Sequence, residues 1–234
     1  MKGRSNDQIR VGWNRYYSGL LNFDENFKKE FQRCTYNHHW SNSIRLIQNL
    51  LDVKDGDKIL DAGSGWGRLI IGLLDNYANL RINALDYQLE AIQIGQKLIG
   101  VFKNNNVIQW SAGDLCHLSY KNTVFDKVYS ARVFQHLNDP KKGVREIVRV
   151  LKPEGRFVIL LPNKLCPLNI NYYAKLYSVG EVKLWFEDIK LNALSVKTMD
   201  FSPNWLHSMM IERVAERTPL INLLGGKVIA WGIK

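Results

Sequence analysis

Three acidic residues, Asp61, Asp86 and Asp114, stand at the ends of three successive strand-like runs. The first opens Asp61-Ala62-Gly63-Ser64-Gly65-Trp66-Gly67. Glycines spaced this closely let the backbone turn sharply, and they let a ligand lie against main-chain atoms with no Cβ in the way. A helix following such a turn offers unpaired N–H groups and a positive dipole end, which suit a carboxylate or phosphate. Asp86 comes 19 residues after Gly67. A carboxylate there can accept hydrogen bonds from both hydroxyls of a ribose. Asp114, within Ser111-Ala112-Gly113-Asp114-Leu115, can accept a bond from an exocyclic amine. Singly, each of these aspartates reads as a loop residue or a helix cap; together, at three strand ends, they could grip an adenosine at two points. The spacing also excludes chemistry. The dinucleotide fingerprint is G-x-G-x-x-G, whereas this chain has G-x-G-x-G, and the Walker pattern is absent.

The elements that must position these groups alternate in type. Asp57–Asp61, Leu80–Asp86, Asn106–Ser111, Phe125–Ser130 and Arg156–Leu161 read as strands. Between them, Trp66, Leu69, Ile70, Leu73, Leu74 and Tyr77 recur at helical spacing, as do Ala91, Ile92, Gly95, Leu98, Ile99 and Phe102 within Leu89–Phe102. Asp139-Pro140 predicts a helix start, an N-cap followed by proline at the first helical position. Val144, Ile147, Val148 and Leu151 form its stripe, and Lys152-Pro153-Glu154-Gly155 reads as the turn into the fifth strand. Residues 41–52 predict one more helix ahead of the first strand. Ser178 with Glu181 predicts a capping box. Leu194–Met199 and Lys227–Ile233 are β-like runs flanking a helical stretch near 206–217. Strands alternating with helices imply an α/β fold, a parallel sheet covered on both faces. Residues 1–40 read as an N-terminal lid segment, and 41–234 as the main domain with 163–210 as a substrate-side insert.

Composition narrows the class. The 234 residues carry 32 Lys and Arg against 22 Asp and Glu, a net charge of +10, with 46% apolar and 23% charged residues. That fits a globular protein and argues against disorder. No apolar run approaches the roughly 18 residues of a membrane span, and the start MKGRSNDQIR does not read as a secretory signal. Cys34, Cys116 and Cys166 lie far apart, giving neither a disulfide framework nor a zinc spacing and pointing to a reducing, cytoplasmic setting. Oligomeric state is not legible. The positive charge suits nucleic acid, an anionic membrane face or nothing beyond solubility, and is a reason to test an anionic acceptor or an acidic partner.

With these residues in hand, the sequence resembles the class I S-adenosylmethionine-dependent methyltransferases. Ile59-Leu60-Asp61-Ala62-Gly63-Ser64-Gly65-Trp66-Gly67 looks like that family's first motif, and Ala84-Leu85-Asp86-Tyr87 like the acidic end of its second strand. Gly113-Asp114-Leu115 resembles its adenine-binding turn. Phe125–Ser130 with Val133-Phe134-Gln135-His136-Leu137 resembles the fourth strand and its exit, and Leu151–Val158 the turn into the fifth. The resemblance runs over about residues 56–162. It implies a Rossmann-like doubly wound, mostly parallel seven-stranded sheet with a reversed hairpin at its last strand, and S-adenosyl-L-methionine as cofactor. It also implies roles. Gly63, Ser64, Gly65 and Gly67 would pass beneath the methionine part, with Asp61 near its amino group and the main chain around Ala131 meeting the ammonium. Asp86 would hold the ribose, Tyr87 would flank the adenine, and Asp114 and the Leu115 N–H would bond the base.

Methyl transfer from a sulfonium needs alignment and exclusion of water, and a base only where the acceptor must lose a proton. His136, just past the fourth strand, is the candidate base, with bracing of its loop as the alternative; Gln135 is a candidate substrate contact. Tyr16, Tyr17, His38, His39, Trp40, Tyr172 and Tyr173 are candidates for the acceptor wall. No third ligand accompanies His38 and His39, so no metal site is expected. The reading is a small-molecule methyltransferase acting on O, N or C. An RNA-modifying enzyme and a non-catalytic cofactor-binding scaffold are the alternatives. Neither a proline-rich motif nor a Pro-Cys nucleophile follows the fourth strand, and Lys141, Lys142, Arg145 and Arg149 avoid the apolar stripe of their helix, reading as a solvated face.

Overall fold

The computed structural model describes residues 16–18, 38–99, 105–169, 174–199 and 223–234, and of residues 38–42 the backbone alone. Among them seven strands form one sheet: β1 (Lys58–Ala62), β2 (Arg81–Asp86), β3 (Val107–Ala112), β4 (Phe125–Ala131), β5 (Leu151–Pro162), β6 (Ala193–Met199) and β7 (Lys227–Ile233). Their order is β3-β2-β1-β4-β5-β7-β6. Strands β1 to β5 pair in parallel, while β7 runs antiparallel to both β5 and β6. The chain steps outward from β1 to β3, then returns to the other side of β1 for β4. The carboxyl ends of β1 and β4 therefore flank the switch point, where open α/β sheets bind ligands.

Alternation along the strands sends side chains into two cores. Ile59, Ile82, Tyr129, Val158, Leu160 and Ile229 face one side, against α1 (His38–Leu51), α2 (Arg68–Leu74) and α3 (Leu89–Ile99). Leu60, Ala62, Val128, Phe157, Ile159 and Ala230 face the other, against α4 (Pro140–Val150) and α5 (Val179–Lys183). Helix α1 crosses α2 closely, its Gln48 Nε2 donating to the Gly72 carbonyl at 2.9 Å. Helix α4 starts as its sequence predicts, with the Asp139 carboxylate accepting from the Lys142 N–H at 3.0 Å. The Ser178–Glu181 capping box is formed in full.

Several boundaries differ from the sequence reading. Lys152-Pro153-Glu154-Gly155 does not end one element and begin another: β5 runs through it, with a register shift against β4 between Phe125 and Lys127. The backbone there stays paired, because the Glu154 N–H donates to the Lys234 carbonyl and the Lys234 N–H to the Gly155 carbonyl. Helix α2 ends at Leu74, two residues short of Tyr77's neighbour Asn76, and a turn carrying Asn79 at φ 60 leads into β2. Helix α1 begins at His38, so it spans the boundary drawn between residues 40 and 41. The helical stretch expected near 206–217 lies outside the described residues, as do Tyr172, Tyr173 and Cys34.

Candidate functional site

The turn after β1 is built by its own backbone. Gly63, Gly65 and Gly67 all take positive φ (95, 54 and 84), the region where a Cβ is strained. The N–H groups of Gly63 and Ser64 both reach the Leu85 carbonyl, at 2.7 and 2.9 Å, which ties the turn to the end of β2. The three glycines then separate by what surrounds them. A Cβ on Gly63 would strike Val133, and one on Gly67 would come within 2.7 Å of both Trp110 and Ile99. At Gly65, among the described residues, only the Tyr17 hydroxyl, at 3.1 Å, lies within 4 Å of the same position. So Gly63 and Gly67 are small because protein packs on them. Among the described residues, Gly65 is the one of the three met by a single side-chain tip, the Tyr17 hydroxyl, rather than by core packing.

Asp86 closes this turn from β2. Its carboxylate accepts from the Gly65 N–H at 2.7 Å and from the Gln88 N–H at 2.8 Å. A carboxylate has about four acceptor sites, so two remain for other donors. Burial raises its pKa above the ordinary range, and the two backbone bonds pull it back in part. Asp61 is buried within the sheet at 1% exposure, accepting from the Tyr129 hydroxyl at 2.8 Å. Burial pushes its carboxyl up to about 8; Tyr129 opposes the shift and the Asp86 charge adds to it. Tyr87 is 56% exposed beside this turn.

The loop after β3 carries Asp114, whose Oδ1 accepts from the Cys116 N–H at 2.8 Å and whose Oδ2 lies 3.2 Å from His117 Nδ1. The Lys142 ammonium meets the other ring nitrogen of His117. An ammonium only donates, so that nitrogen accepts and Nδ1–H points at Asp114. Next along the loop, the Leu115 N–H makes no hydrogen bond among the described residues. Cys116 is no nucleophile: burial and the nearby Asp114 and Asp139 carboxylates push its thiol up to about 11.

At the exit of β4, Arg132 takes φ 62 and its N–H donates to the Leu160 carbonyl. That turn drives Val133 against Gly63 and buries Phe134, which stacks on Trp185 at 5.5 Å. Gln135 is 1% exposed, its Nε2 donating to the Arg132 carbonyl at 2.7 Å, so it braces the exit rather than standing open to solvent. Burial, and then the Arg132 charge, lower the His136 pKa to about 4, leaving a neutral imidazole at pH 7. Ala131, the last residue of β4, is half-buried at the switch point.

Of the acceptor-wall residues, Tyr16 and Tyr17 are half-buried, in edge-on contact at 5.2 Å, with the Tyr17 hydroxyl over Gly65. His38, His39 and Trp40 lie in the first turn of α1, and their side chains are outside the described residues. Among the described residues no group of three or more His, Cys, Asp and Glu stands together as a metal site would need, and no helix is long and apolar enough to cross a membrane.

The basic face of α4 is solvated at Arg145, whose side chain is 56% exposed, and withdrawn from solvent at Arg149. Lys142 meets His117, Arg145 reaches Asp188 at 3.8 Å, and Arg149 forms a bidentate pair with Glu146 at 2.7 and 2.8 Å. The Glu146/Arg149 and Asp114/His117 spacings of three residues were visible in the sequence, but what each pair touches was not.

Residues 60–159 match the family model of a methyltransferase domain. The 2-methyl-6-phytyl-1,4-hydroquinone methyltransferase 1 of Oryza sativa subsp. japonica, a chloroplastic protein, is 28% identical over 189 residues, covering 75% of this chain and 54% of its own. The demethylmenaquinone methyltransferase of Thermotoga maritima is 31% identical over 142 residues, covering 60% of this chain and 57% of its own. The chain thus spans about half the length of the curated relatives it matches. Among solved structures, Haemonchus contortus phosphoethanolamine N-methyltransferase 2 in complex with S-adenosyl-L-methionine superposes with a TM-score of 0.66 at 16% identity, over 83% of this chain and 52% of that one. That likeness is one of fold. Sheet order and glycine turn are those of a Rossmann-like fold, and residues 60–159 are similar to a methyltransferase domain. The solved methyltransferases of Thermotoga maritima and Aquifex aeolicus share this fold at 16% and 17% identity.

Proposed function

We propose that the chain is an S-adenosylmethionine-dependent methyltransferase acting on an O, N or C nucleophile of a small molecule. The observation that carries this reading is the Gly65 turn at the switch point, held from behind by the Asp86 carboxylate and approached on its Cβ side, among the described residues, by the Tyr17 hydroxyl alone. The residues present fit the cofactor. Asp86 has acceptor sites left for a ribose diol, and Asp114 and the Leu115 N–H offer an acceptor and a donor side by side for an adenine edge. Asp61 and the main chain at Ala131 would face the methionine ammonium. When bound, the cofactor supplies the electrophilic methyl carbon.

The chain's own task is to align the acceptor and exclude water. Tyr17 already lies over the glycine turn, which supports residues 1–40 as a cover for the site. His136 is neutral at pH 7 and able to accept a proton from a hydroxyl acceptor, although its low basicity makes it a weak base. Since relatives are named for hydroquinone and demethylmenaquinone substrates, a hydroquinone ring is the first acceptor to try. The net charge of +10 adds anionic acceptors to the panel. It does not by itself favour RNA, and Arg149 of α4 is committed to partners within the protein. Buried free cysteines at 116 and 166 are in keeping with a cytoplasmic setting.

Calorimetry with S-adenosylhomocysteine tests the reading. Micromolar-range binding by the full chain supports it; no binding by the folded protein rejects it, along with the scaffold alternative. Methyl transfer to any member of the acceptor panel then separates enzyme from scaffold.

A further inference from the structure

We propose that Glu146 and Arg149 of α4 are positioning residues for the adenine, setting the path of the loop that carries Asp114 and Leu115 and so the preference for an adenosyl over an inosyl cofactor. This rests on the methyltransferase reading above. Residues 113–124 contain no helix or strand, and a loop of that kind needs its backbone groups satisfied from outside. The Arg149 guanidinium has all five of its N–H groups engaged, two of them on loop carbonyls. Nε and one Nη2 hydrogen go to Glu146, at 2.7 and 2.8 Å. The other Nη2 hydrogen goes to the Leu118 carbonyl at 2.8 Å, and Nη1 divides between the Tyr120 carbonyl at 2.8 Å and Asn122 Oδ1 at 2.9 Å. Glu146 in turn accepts from the Leu118 N–H at 2.7 Å. Both backbone groups of Leu118 are thus held by one ion pair, four residues past Asp114.

The pair is well placed to act as a unit. Its side chains are 30% and 17% exposed, and the fork geometry fixes direction as well as distance. The Glu146 pKa is lowered by the Arg149 bond first of all, so the carboxylate stays charged. Between Leu118 and Asp114, the Cys116 thiol donates to the Asp139 carbonyl at 3.4 Å, and Leu115 and Leu118 are both buried in the core beneath α4. A shift of the clamp therefore carries to Asp114 and the Leu115 N–H, the two groups proposed to read the base. An adenine edge presents an amine donor and a ring acceptor to them; a hypoxanthine edge presents a carbonyl and a ring N–H, and mismatches both.

The test uses the full chain with S-adenosylhomocysteine and its inosyl analogue, measured by calorimetry in wild type, Arg149→Lys and Glu146→Gln. Wild type is expected to prefer the adenosyl ligand by about tenfold or more, as a polar site rejects a mismatched edge. Arg149→Lys keeps the charge but loses the fork, and its adenosyl affinity should fall about tenfold while the preference shrinks to within about threefold. Glu146→Gln keeps an acceptor for Leu118 and should narrow the preference less. A purely structural role would weaken both ligands alike, because a reduced folded fraction cancels in the ratio. An undiminished preference in the folded variants, or no preference in wild type, overturns the inference. Should Arg149→Lys fail to fold, Glu146→Gln decides it. Wild type that binds neither ligand rejects the methyltransferase reading itself.

Discussion

The turn after β1 and the loop after β3 border the same crevice and are built in opposite ways. The first is held by short-range means: three glycines at positive φ, two N–H groups on the Leu85 carbonyl, and Asp86 behind Gly65. The second is held by long side chains from a helix more than twenty residues further on, chiefly Arg149 and Glu146. A backbone-built turn is rigid but intolerant of any added atom. A side-chain-built loop tolerates substitution within itself and depends on its distant brace.

The largest effect should come from setting Gly65 against Gly67. Gly65→Val places an isopropyl group on the glycine of the turn that, among the described residues, meets just the Tyr17 hydroxyl rather than core side chains. We expect S-adenosylhomocysteine affinity to fall by about a hundredfold or more, with a stability cost of about 1–2 kcal/mol from the left-handed backbone. Gly67→Ala should show the reverse pattern. Its methyl meets Trp110 and Ile99 at 2.7 Å, so stability should drop by about 2–3 kcal/mol through strain and overpacking. Calorimetry with denaturant melts of both variants reads the two quantities. If Gly65→Val binds normally, the ligand does not lie against Gly65.

Asp86→Ala comes next, because that carboxylate shapes the turn and is proposed to hold the ribose as well. Loss of hydrogen bonds to a charged group predicts about 1.5–3 kcal/mol weaker binding in the same titration. Asp114, with its side chain 44% exposed, should lose less, about 1 kcal/mol, when cut to alanine. Equal losses at both positions would mean that the two regions contribute alike.

Asp61 adds a pH dependence to the turn. Its folded-state carboxyl is pushed up to about 8 against an ordinary value of 3.8, so the folded protein holds a proton that the unfolded chain has released. The resulting stabilisation is complete below about pH 4 and is lost as pH rises through 8. His136 acts with opposite sign: its pKa falls from 6.5 to about 4, so the folded state excludes a proton and loses stability as pH falls below 6.5. Between about pH 7 and 8, past the ordinary imidazole value of 6.5, His136 contributes little. In that window the melting temperature of the wild type should decline more steeply than that of Asp61→Asn. Parallel profiles would mean that Asp61 is ionised in the folded protein.

The same contrast explains what the sequence made legible. The strands up to β5, the glycine turn, the Asp139 cap and the Ser178–Glu181 box all follow from residues close together in the chain, whose spacing is itself the signal. What escaped depends on contacts between distant segments. Nothing local says that Trp110 of β3 packs on Gly67, or that Tyr129 donates to Asp61 across 68 positions. The face of α4 is the sharpest case. Its cations avoid the apolar stripe as solvated ones do, and only the position of the neighbouring loop shows that Arg149 is engaged.

Arg145 and Arg149 bring the comparison down to one helix turn, and to the smallest effect. Both are arginines on α4, each with an acidic partner. Arg145 meets Asp188 at 3.8 Å, with the two side chains 56% and 76% exposed. Water screens such a pair, and ordering two long side chains offsets most of the attraction, so Arg145→Ala should change stability by less than about 0.5 kcal/mol and leave cofactor binding untouched. Arg149→Ala strands the Glu146 carboxylate and the Leu118 and Tyr120 carbonyls, and should cost about 2 kcal/mol or more in a denaturant melt. A cost at Arg145 matching that at Arg149 would mean that charge alone, without the fork and its backbone partners, holds the loop to the helix.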